Sequence, residues 1–308
     1  PWSDPPPSRR DARGAAAELS WRPFGGRVAL HAAQRWDWLD DALRASLASG
    51  ALVRDASRRL RSPQLGARGA LGGGLEARAN WSRAERPPDF LELFGNQGTV
   101  LGNASLVPER TESWDAGLAW EGRLRGRRAS AGWTRFRSRH RDLVLYVRNS
   151  QSSVRAQNVS SASVDGDEWS ASAALPLGFS LTGSFTAQRA VDTGPVVYWN
   201  GKRLPQRPAR EGYSRLDWER AGFRASADLH WIDDNPLDRY NRYRVAERRL
   251  LGARIAIPAL HPSLHLVAEG KNLTDDRASD VAGFPLPGRS YFVSCEARLG
   301  GAPAPASP

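Results

Sequence analysis

Hydrophobic and polar residues alternate along most of this chain. From 223 to 231, Phe223, Ala225, Ala227, Leu229 and Trp231 fall on one side, and Arg224, Ser226, Asp228 and His230 on the other. Phe179, Leu181, Gly183, Phe185 and Ala187 repeat the pattern against Ser180, Thr182, Ser184, Thr186 and Gln188. Trp114, Ala116, Leu118 and Trp120 do so again, as do Trp169, Ala171, Ala173 and Leu175. A two-residue repeat predicts β-strands with one apolar and one polar face.

The repeat places strands at 15–22, 27–37, 63–70, 75–84, 110–120, 127–137, 158–175, 179–189, 210–219, 223–231, 243–257, 263–273 and 289–299. The connections alternate in length. Stretches 24–26, 72–74, 176–178, 220–222 and 258–262 are tight turns, whereas 38–62, 85–109 and 191–209 are long. Short turns at one end and long loops at the other describe an outer-membrane barrel, while a sandwich would be spaced more evenly. Trp21, Trp36, Trp81, Trp133, Trp218 and Trp231 lie towards strand ends, where a membrane barrel carries its aromatic girdles. The fold expected is all-β: an antiparallel transmembrane β-barrel, partial, with about thirteen strands of a larger one.

Composition narrows the function. No apolar run is long enough for a transmembrane helix, and the mean hydropathy of −0.53 is compatible with strands that each present one polar face. The net charge of +11 is carried almost wholly by arginine, since Lys202 and Lys271 are the only lysines. Those arginines are scattered, not set in a basic stripe with stacking aromatics, which argues against nucleic acid. The single Cys295 excludes an internal disulfide and reads as a small packing residue on a strand. The chain begins at Pro1 and contains no Met. Together with an odd strand count, this leads to the expectation of a chain lacking its beginning, with 1–299 forming barrel and 300–308 a disordered Pro/Ala tail.

Three segments carry a family resemblance. Arg86-Pro87-Pro88-Asp89-Phe90-Leu91-Glu92-Leu93-Phe94, followed by Gly102-Asn103-Ala104-Ser105-Leu106-Val107-Pro108-Glu109, resembles the R-x-P…E-L-F…G-N-P-x-L-x-P-E signature of TonB-dependent receptors. Asn272-Leu273-Thr274-Asp275 resembles the N-L-T/F-D that ends that family's penultimate strand, and Gly283-Phe284-Pro285-Leu286-Pro287-Gly288-Arg289-Ser290-Tyr291-Phe292 resembles the G-x-P-x-P-G-R-x-Y/F opening of its final strand. Asp165-Gly166-Asp167-Glu168 is similar to the start of a long descending strand. Ala104 replaces the usual Pro, and the chain does not end in the usual aromatic.

The resemblance implies a multi-pass barrel in the bacterial outer membrane that takes up a scarce nutrient chelate, of the ferric siderophore or cobalamin class. It implies a plug and TonB box upstream as the point of contact with the TonB complex, no resident cofactor and no enzyme activity. Outer-membrane lipids and lipopolysaccharide are the expected surroundings. The motif residues Pro88, Glu92, Gly102, Asn103, Pro108, Glu109, Asn272, Asp275, Pro287, Gly288, Arg289 and Tyr291 are expected to be architectural. Pro88 and Pro108 lack an amide hydrogen and mark where pairing stops, Gly102 and Gly288 supply backbone freedom, and Glu109 and Arg289 make loop-to-rim hydrogen bonds. For an anionic chelate, external loops offer Tyr146, Arg148, Tyr198, Trp199, Arg203 and Arg207, which combine aromatics with positive charge.

Other chemistries are weaker. His261 and His265 are separated by Pro262 in a turn, and Asp233-Asp234-Asn235 and Asp37 to Asp41 are possible calcium ligands set against ordinary solvated loops. No nucleophile elbow, phosphate loop or CxxC is present. The alternatives of another class are a surface adhesion barrel without transport and a soluble carbohydrate-binding sandwich.

Overall fold

Thirteen of these strands form, in sequence order, one antiparallel run. The computed structural model describes residues 8–47, 50–95, 99–148, 153–259, 264–277, 279–281 and 284–297. The strands are β1 (Arg9–Trp21), β2 (Val28–Leu47), β3 (Gly50–Gly72), β4 (Leu75–Arg86), β5 (Val100–Leu101), β6 (Glu109–Leu124), β7 (Arg127–Arg148), β8 (Val154–Ala174) and β9 (Phe179–Asp192). Then follow β10 (Arg210–Arg220), β11 (Phe223–Ile232), β12 (Asn235–Pro236), β13 (Arg244–Val245), β14 (Arg248–Pro258), β15 (Leu264–Lys271), β16 (Ser279–Val281), β17 (Phe284–Pro285) and β18 (Ser290–Ala297). A short helix, α1 (Phe90–Phe94), precedes β5. Within a 14-stranded sheet the order is β1-β2-β3-β4-β6-β7-β8-β9-β10-β11-β14-β15-β18, with β5 added parallel to β8. The sheet is an unclosed part of a barrel wall with β1 and β18 at its edges.

Each strand turns its apolar residues to the same side. Leu65 pairs with Trp81 and Trp81 with Trp114; Leu118, Trp133, Trp169 and Phe185 are likewise opposed in turn across β6, β7, β8 and β9. Leu19, Leu65, Ile255, Leu266 and Val293 on this face are half or more exposed. A row of apolar side chains this long needs an apolar medium, which a lipid bilayer supplies. The opposite face is polar, with cross-strand hydrogen bonds from Asn80 to Asp115 at 2.9 Å, between Ser113 and Ser138 at 2.8 Å, and between Glu211 and His230 at 2.9 Å.

Two tryptophan rows bound the apolar belt. At the tight-turn end, Trp120 donates its indole N–H to the Gly73 carbonyl (3.0 Å) and Trp218 to that of Leu177 (3.1 Å). At the loop end, Trp81 donates to Glu112 (3.2 Å) and Trp133 to Asp167 (3.1 Å). Each ring thus keeps its body in the belt and its polar edge on a polar partner beyond it. From Leu124 to Trp114 is about ten residues, or roughly 26 Å at a ~40° tilt, the height of a barrel's apolar band. Several turns below the lower row are two-residue I′ hairpins with both central residues at positive φ, as at Arg125-Gly126 (52° and 77°) and Ala221-Gly222 (51° and 84°).

The structure departs from the sequence reading at the loop end. Stretch 38–62 is not a long loop: β2 and β3 stay paired from Val28↔Gly69 to Leu47↔Gly50. β8 begins at Val154, so Asp165 to Glu168 lie within it and not at its start. Residues Tyr243–Ile257 are not one strand; β13 pairs with β12, and β14 starts at Arg248. Cys295 is exposed on edge strand β18, opposite Leu266, and is not packed within the sheet. His261 and residues 298–308, including the Pro/Ala tail, lie outside the described residues.

Candidate functional site

The candidate site is the polar face beyond the upper tryptophan row, where two sets of long loops meet the strands. The first is the connection between β4 and β6. Asp89 caps α1 by accepting from the Glu92 amide at 2.7 Å, and Glu92 accepts in return from the Asp89 amide at 2.8 Å. This reciprocal capping box is what allows so short a helix to form. Its Leu93 packs with Leu106 and Ala156 in a buried cluster flanked by Phe94, Ala104 and Val144, so the loop lies against β7 and β8. Arg10 places its guanidinium 5.3 Å from the Phe90 ring centre, and Arg58 donates to the Leu106 carbonyl. Both arginines also hold the buried Asp41, with Arg10 at 2.5 Å.

Arg86 lies at the centre of this arrangement. It donates to Glu92 (2.9 and 3.2 Å) and to Glu109 (2.8 Å), so a single guanidinium neutralises two carboxylates from opposite ends of the loop. The other Glu109 oxygen accepts the Val144 amide at 2.7 Å. Burial alone would raise the Glu109 carboxyl, but the hydrogen bonds from Arg86 and Val144 outweigh it and hold it below its ordinary value. Asn103 donates to the Ala156 carbonyl (2.9 Å), and Asn158 on β8 exchanges hydrogen bonds with the Val107 backbone at 2.9 and 3.0 Å. Pro88 is fully buried, and Pro108 immediately precedes β6 where the ladder resumes.

The glycines act differently from expectation. Neither Gly102 nor Gly288 has a positive φ. A Cβ on Gly102 would lie 2.3 Å from the Phe94 carbonyl carbon and 2.5 Å from the Leu93 oxygen, so close backbone approach, not torsional freedom, requires glycine there. A Cβ on Gly288 would come to 3.0 Å from an Asp275 carboxylate oxygen.

The two C-terminal motifs are joined to each other. Asn272 donates to the carbonyls of Asp276 (2.9 Å) and Pro287 (3.1 Å), and its own carbonyl accepts the Asp276 amide (2.9 Å). Asp275 accepts the Arg289 amide at 3.0 Å, so Arg289 acts through its backbone. Tyr291 stands opposite Gly270, where a Cβ would come within 2.6 Å of the Leu273 side chain, so the glycine leaves room for Leu273 of the same motif.

The second set is loops 193–209 and 233–247. Arg203 donates to the Asp234 side chain (3.3 Å) and carbonyl (2.9 Å), and Arg244 donates to the other Asp234 oxygen at 2.5 Å. Burial opposes ionisation of Asp234, yet the two arginines outweigh it and lower its pKa. The Asn241 side chain clamps the Arg203 backbone from both sides, at 2.9 and 2.8 Å. Arg239 stacks 4.8 Å over Trp199 and approaches the buried Asp192 at 3.6 Å.

The six residues expected to meet a chelate therefore divide. Tyr146 and Arg148 are not in a loop; they end β7, opposite Ala156 and Val154, on the polar face. Tyr146 stands near the start of α1, where burial and then the charges of Asp89 and Glu92 raise its phenol pKa. Arg207 is exposed and near enough to His140 to reinforce, after burial, the lowering of its pKa. Tyr198 is 76% exposed. Arg203 and Trp199 are engaged within the loops, and so are Asp233 and Asp234, the possible calcium ligands, which face arginines. Among the described residues no group of three or more His, Cys, Asp or Glu is placed to hold a metal ion. Asp41, named in the sequence only among possible calcium ligands, instead faces Arg10 and Arg58, and sequence reasoning missed it, Asn158 and Asn241 as fasteners. Arg86 was visible within the first motif.

A wall of outward apolar strands, polar inside and bearing inward-folded loops at one end, defines an outer-membrane β-barrel. The family model described as "TonB dependent receptor-like, beta-barrel" matches residues 3–273, and the chain belongs to that family. Its members are transporters and receptors of the outer membrane, not enzymes. Among solved structures the chain is similar to the copper transporter OprC, with TM-score 0.74 and 21% identity over 94% of this chain and 50% of that one. It is also similar to the ferric yersiniabactin uptake receptor FyuA from Yersinia pestis, with TM-score 0.71, 15% identity, and 93% and 44% coverage. The siderophore receptor PiuA from Acinetobacter baumannii gives TM-score 0.74 and 15% identity, with 94% and 44% coverage. The chain spans half or less of the length of these proteins.

Proposed function

We propose that this chain forms part of the wall of an outer-membrane receptor that captures a small anionic metal chelate for TonB-driven uptake. The class envisaged is that of ferric siderophores or cobalamin, with a plug and TonB box elsewhere in the protein as the contact with the TonB complex. The observation that carries the reading is the division of residues at the loop end. Arg203 and Trp199 brace the loops, leaving Arg207 and Tyr198 exposed beside them and Tyr146 and Arg148 exposed on the polar face of β7. Cations and aromatic rings held on a braced frame suit a compact anion with unsaturated donor groups. The neighbours that take up iron chelates and copper have the same wall.

The test is growth of a strain deleted for the receptor on single defined sources: ferric siderophores, cobalamin, or chelated copper. Restoration by the intact gene on one of them, and at least about tenfold weaker binding by Arg207→Ala with Tyr198→Ala, is the expected result. An intact gene that restores growth on none of them, or a double variant that binds the restoring chelate unchanged, refutes the reading.

A further inference from the structure

The outward face of β7 changes character at Trp133. Below it stand Ala129 and Ala131; above it, on the same face, stand Arg135, Arg137, Arg139 and Arg141. Successive side chains on this column are about 7 Å apart. Arg135 is engaged by Asp167 (2.5 Å) and Asp165 (3.3 Å) on β8. Among the described residues, Arg137, Arg139 and Arg141 have no ion pair and no hydrogen bond from their side chains. Arg137 Nε is buried without a partner, and so is Ser163 Oγ, which belongs to the residue opposite Arg139 on β8.

The nearby carboxylates are already engaged. Glu112, opposite Arg139, accepts the Trp81 indole, and Glu85 holds Arg83 and Arg110. Glu85, Arg83 and Arg110 share the outward face, and Arg110 stands directly opposite Arg141, adding positive charge there. The Trp133 indole marks the upper edge of the apolar belt through its bond to Asp167. The three arginines therefore begin at the depth of lipid headgroups, facing away from the polar interior. A cation column here, with one orphaned nitrogen of its own and an orphaned hydroxyl beside it, needs anions that the lipid itself carries.

We propose that Arg137, Arg139 and Arg141, with Ser163, bind the phosphate groups of an outer-leaflet glycolipid, fastening this side of the wall to its lipid. Guanidinium forks match phosphate oxygens in pairs, which a hydrated ammonium does not. The site lies on the opposite face from the chelate residues and rests only on the reading of the apolar face as lipid-facing.

The intact protein in neutral detergent micelles is titrated with bisphosphorylated lipid A, with the same glycolipid after phosphate removal, and with inorganic phosphate. Native mass spectrometry counts the bound molecules. The phosphorylated glycolipid is expected to bind at least about tenfold tighter than the dephosphorylated one, and Arg137→Gln/Arg139→Gln/Arg141→Gln should abolish that preference. A control with the inward Arg68, Arg78 and Arg215 changed to Gln should keep it. Equal binding of the two glycolipids, an unchanged preference in the outward triple variant, or displacement by inorganic phosphate at equal affinity would overturn the proposal. Should the triple variant not fold, the two glycolipids on the native protein decide alone. A native protein that enters micelles as a heat-modifiable barrel, but ignores the phosphates, defeats this inference and leaves the wall intact. One that does not enter micelles defeats both.

Discussion

Arg86 and Glu109 meet at 2.8 Å across the ends of a loop more than twenty residues long, and the same guanidinium holds Glu92. Arg86→Ala leaves the buried Glu92 without its counter-charge. The expected cost is about 2–4 kcal/mol to the loop's docking, because losing one partner strands the other. Limited proteolysis should show cleavage within 87–108 rising sharply while the strands stay protected. Arg86→Lys, which cannot form the fork to both carboxylates, should fall between the two.

The same cluster should respond to acid. Glu109 ionises below its ordinary value of 4.5, so its contribution is fully present above that value and is lost as pH falls through the lowered one. Asp234, lowered from 3.8 by Arg244 and Arg203, acts in the same direction for the second pair of loops. Protease resistance of both should therefore hold at neutral pH and decline below about pH 4. The Glu109→Gln variant should show a weaker loop at neutral pH and a flatter acid response. A loop equally resistant at pH 3 and pH 7 would contradict this.

Close approach makes a third, sharper demand. Gly102→Ala places a methyl within 2.5 Å of the Leu93 oxygen and the Phe94 backbone, distances that no rotamer relieves. The chain must move or α1 must leave its seat. A loss of about 2–3 kcal/mol is expected, read as cleavage at the loop and greater reactivity of Tyr146 to nitration. Gly183→Ala is the matching control, because its nearest atom would be an ordinary 3.5 Å away.

The wall was readable from sequence because lipid on one side and water on the other impose a strict period of two. Phe223 to Trp231 and Phe179 to Ala187 show that constraint unmixed. Beyond the belt the constraint ends. Leu39 and Asp41 are both buried on the polar face beneath the loop, so hydrophobicity no longer alternates and β2 looked like a loop there. The motifs exposed which residues act at the loop end but not how. Arg289 works through its amide and Gly102 through its missing side chain, whereas Arg203 resembled a ligand residue until Asp234 and Asn241 appeared beside it. Such partners are more than thirty residues away, and only the register of the strands brings them near.

Phe185 and Trp231 stack at 6.1 Å and 8° between ring planes because Gly212, which stands between them on β10, has no side chain to part them. Trp169 continues the row at 5.7 Å from Phe185, and Trp133 stands opposite Trp169. If this face meets lipid, acyl chains brominated near their headgroup end should quench a protein whose only tryptophans are Trp133 and Trp169. Bromines at the bilayer midplane should quench it less, since both rings lie near the belt's upper edge. A protein retaining only Trp199, braced by Arg239 in a loop beyond the belt, should be insensitive to both lipids. Gly212→Leu should separate the Phe185 and Trp231 rings but leave the strand paired, because the outward side chain meets lipid and the ladder bonds are in the backbone. Heat-modifiable migration should then persist at a lower conversion temperature, reflecting loss of the roughly 0.5–1.5 kcal/mol that an aromatic pair contributes. Complete loss of the barrel in Gly212→Leu would mean that this face is packed against protein and not bathed in lipid.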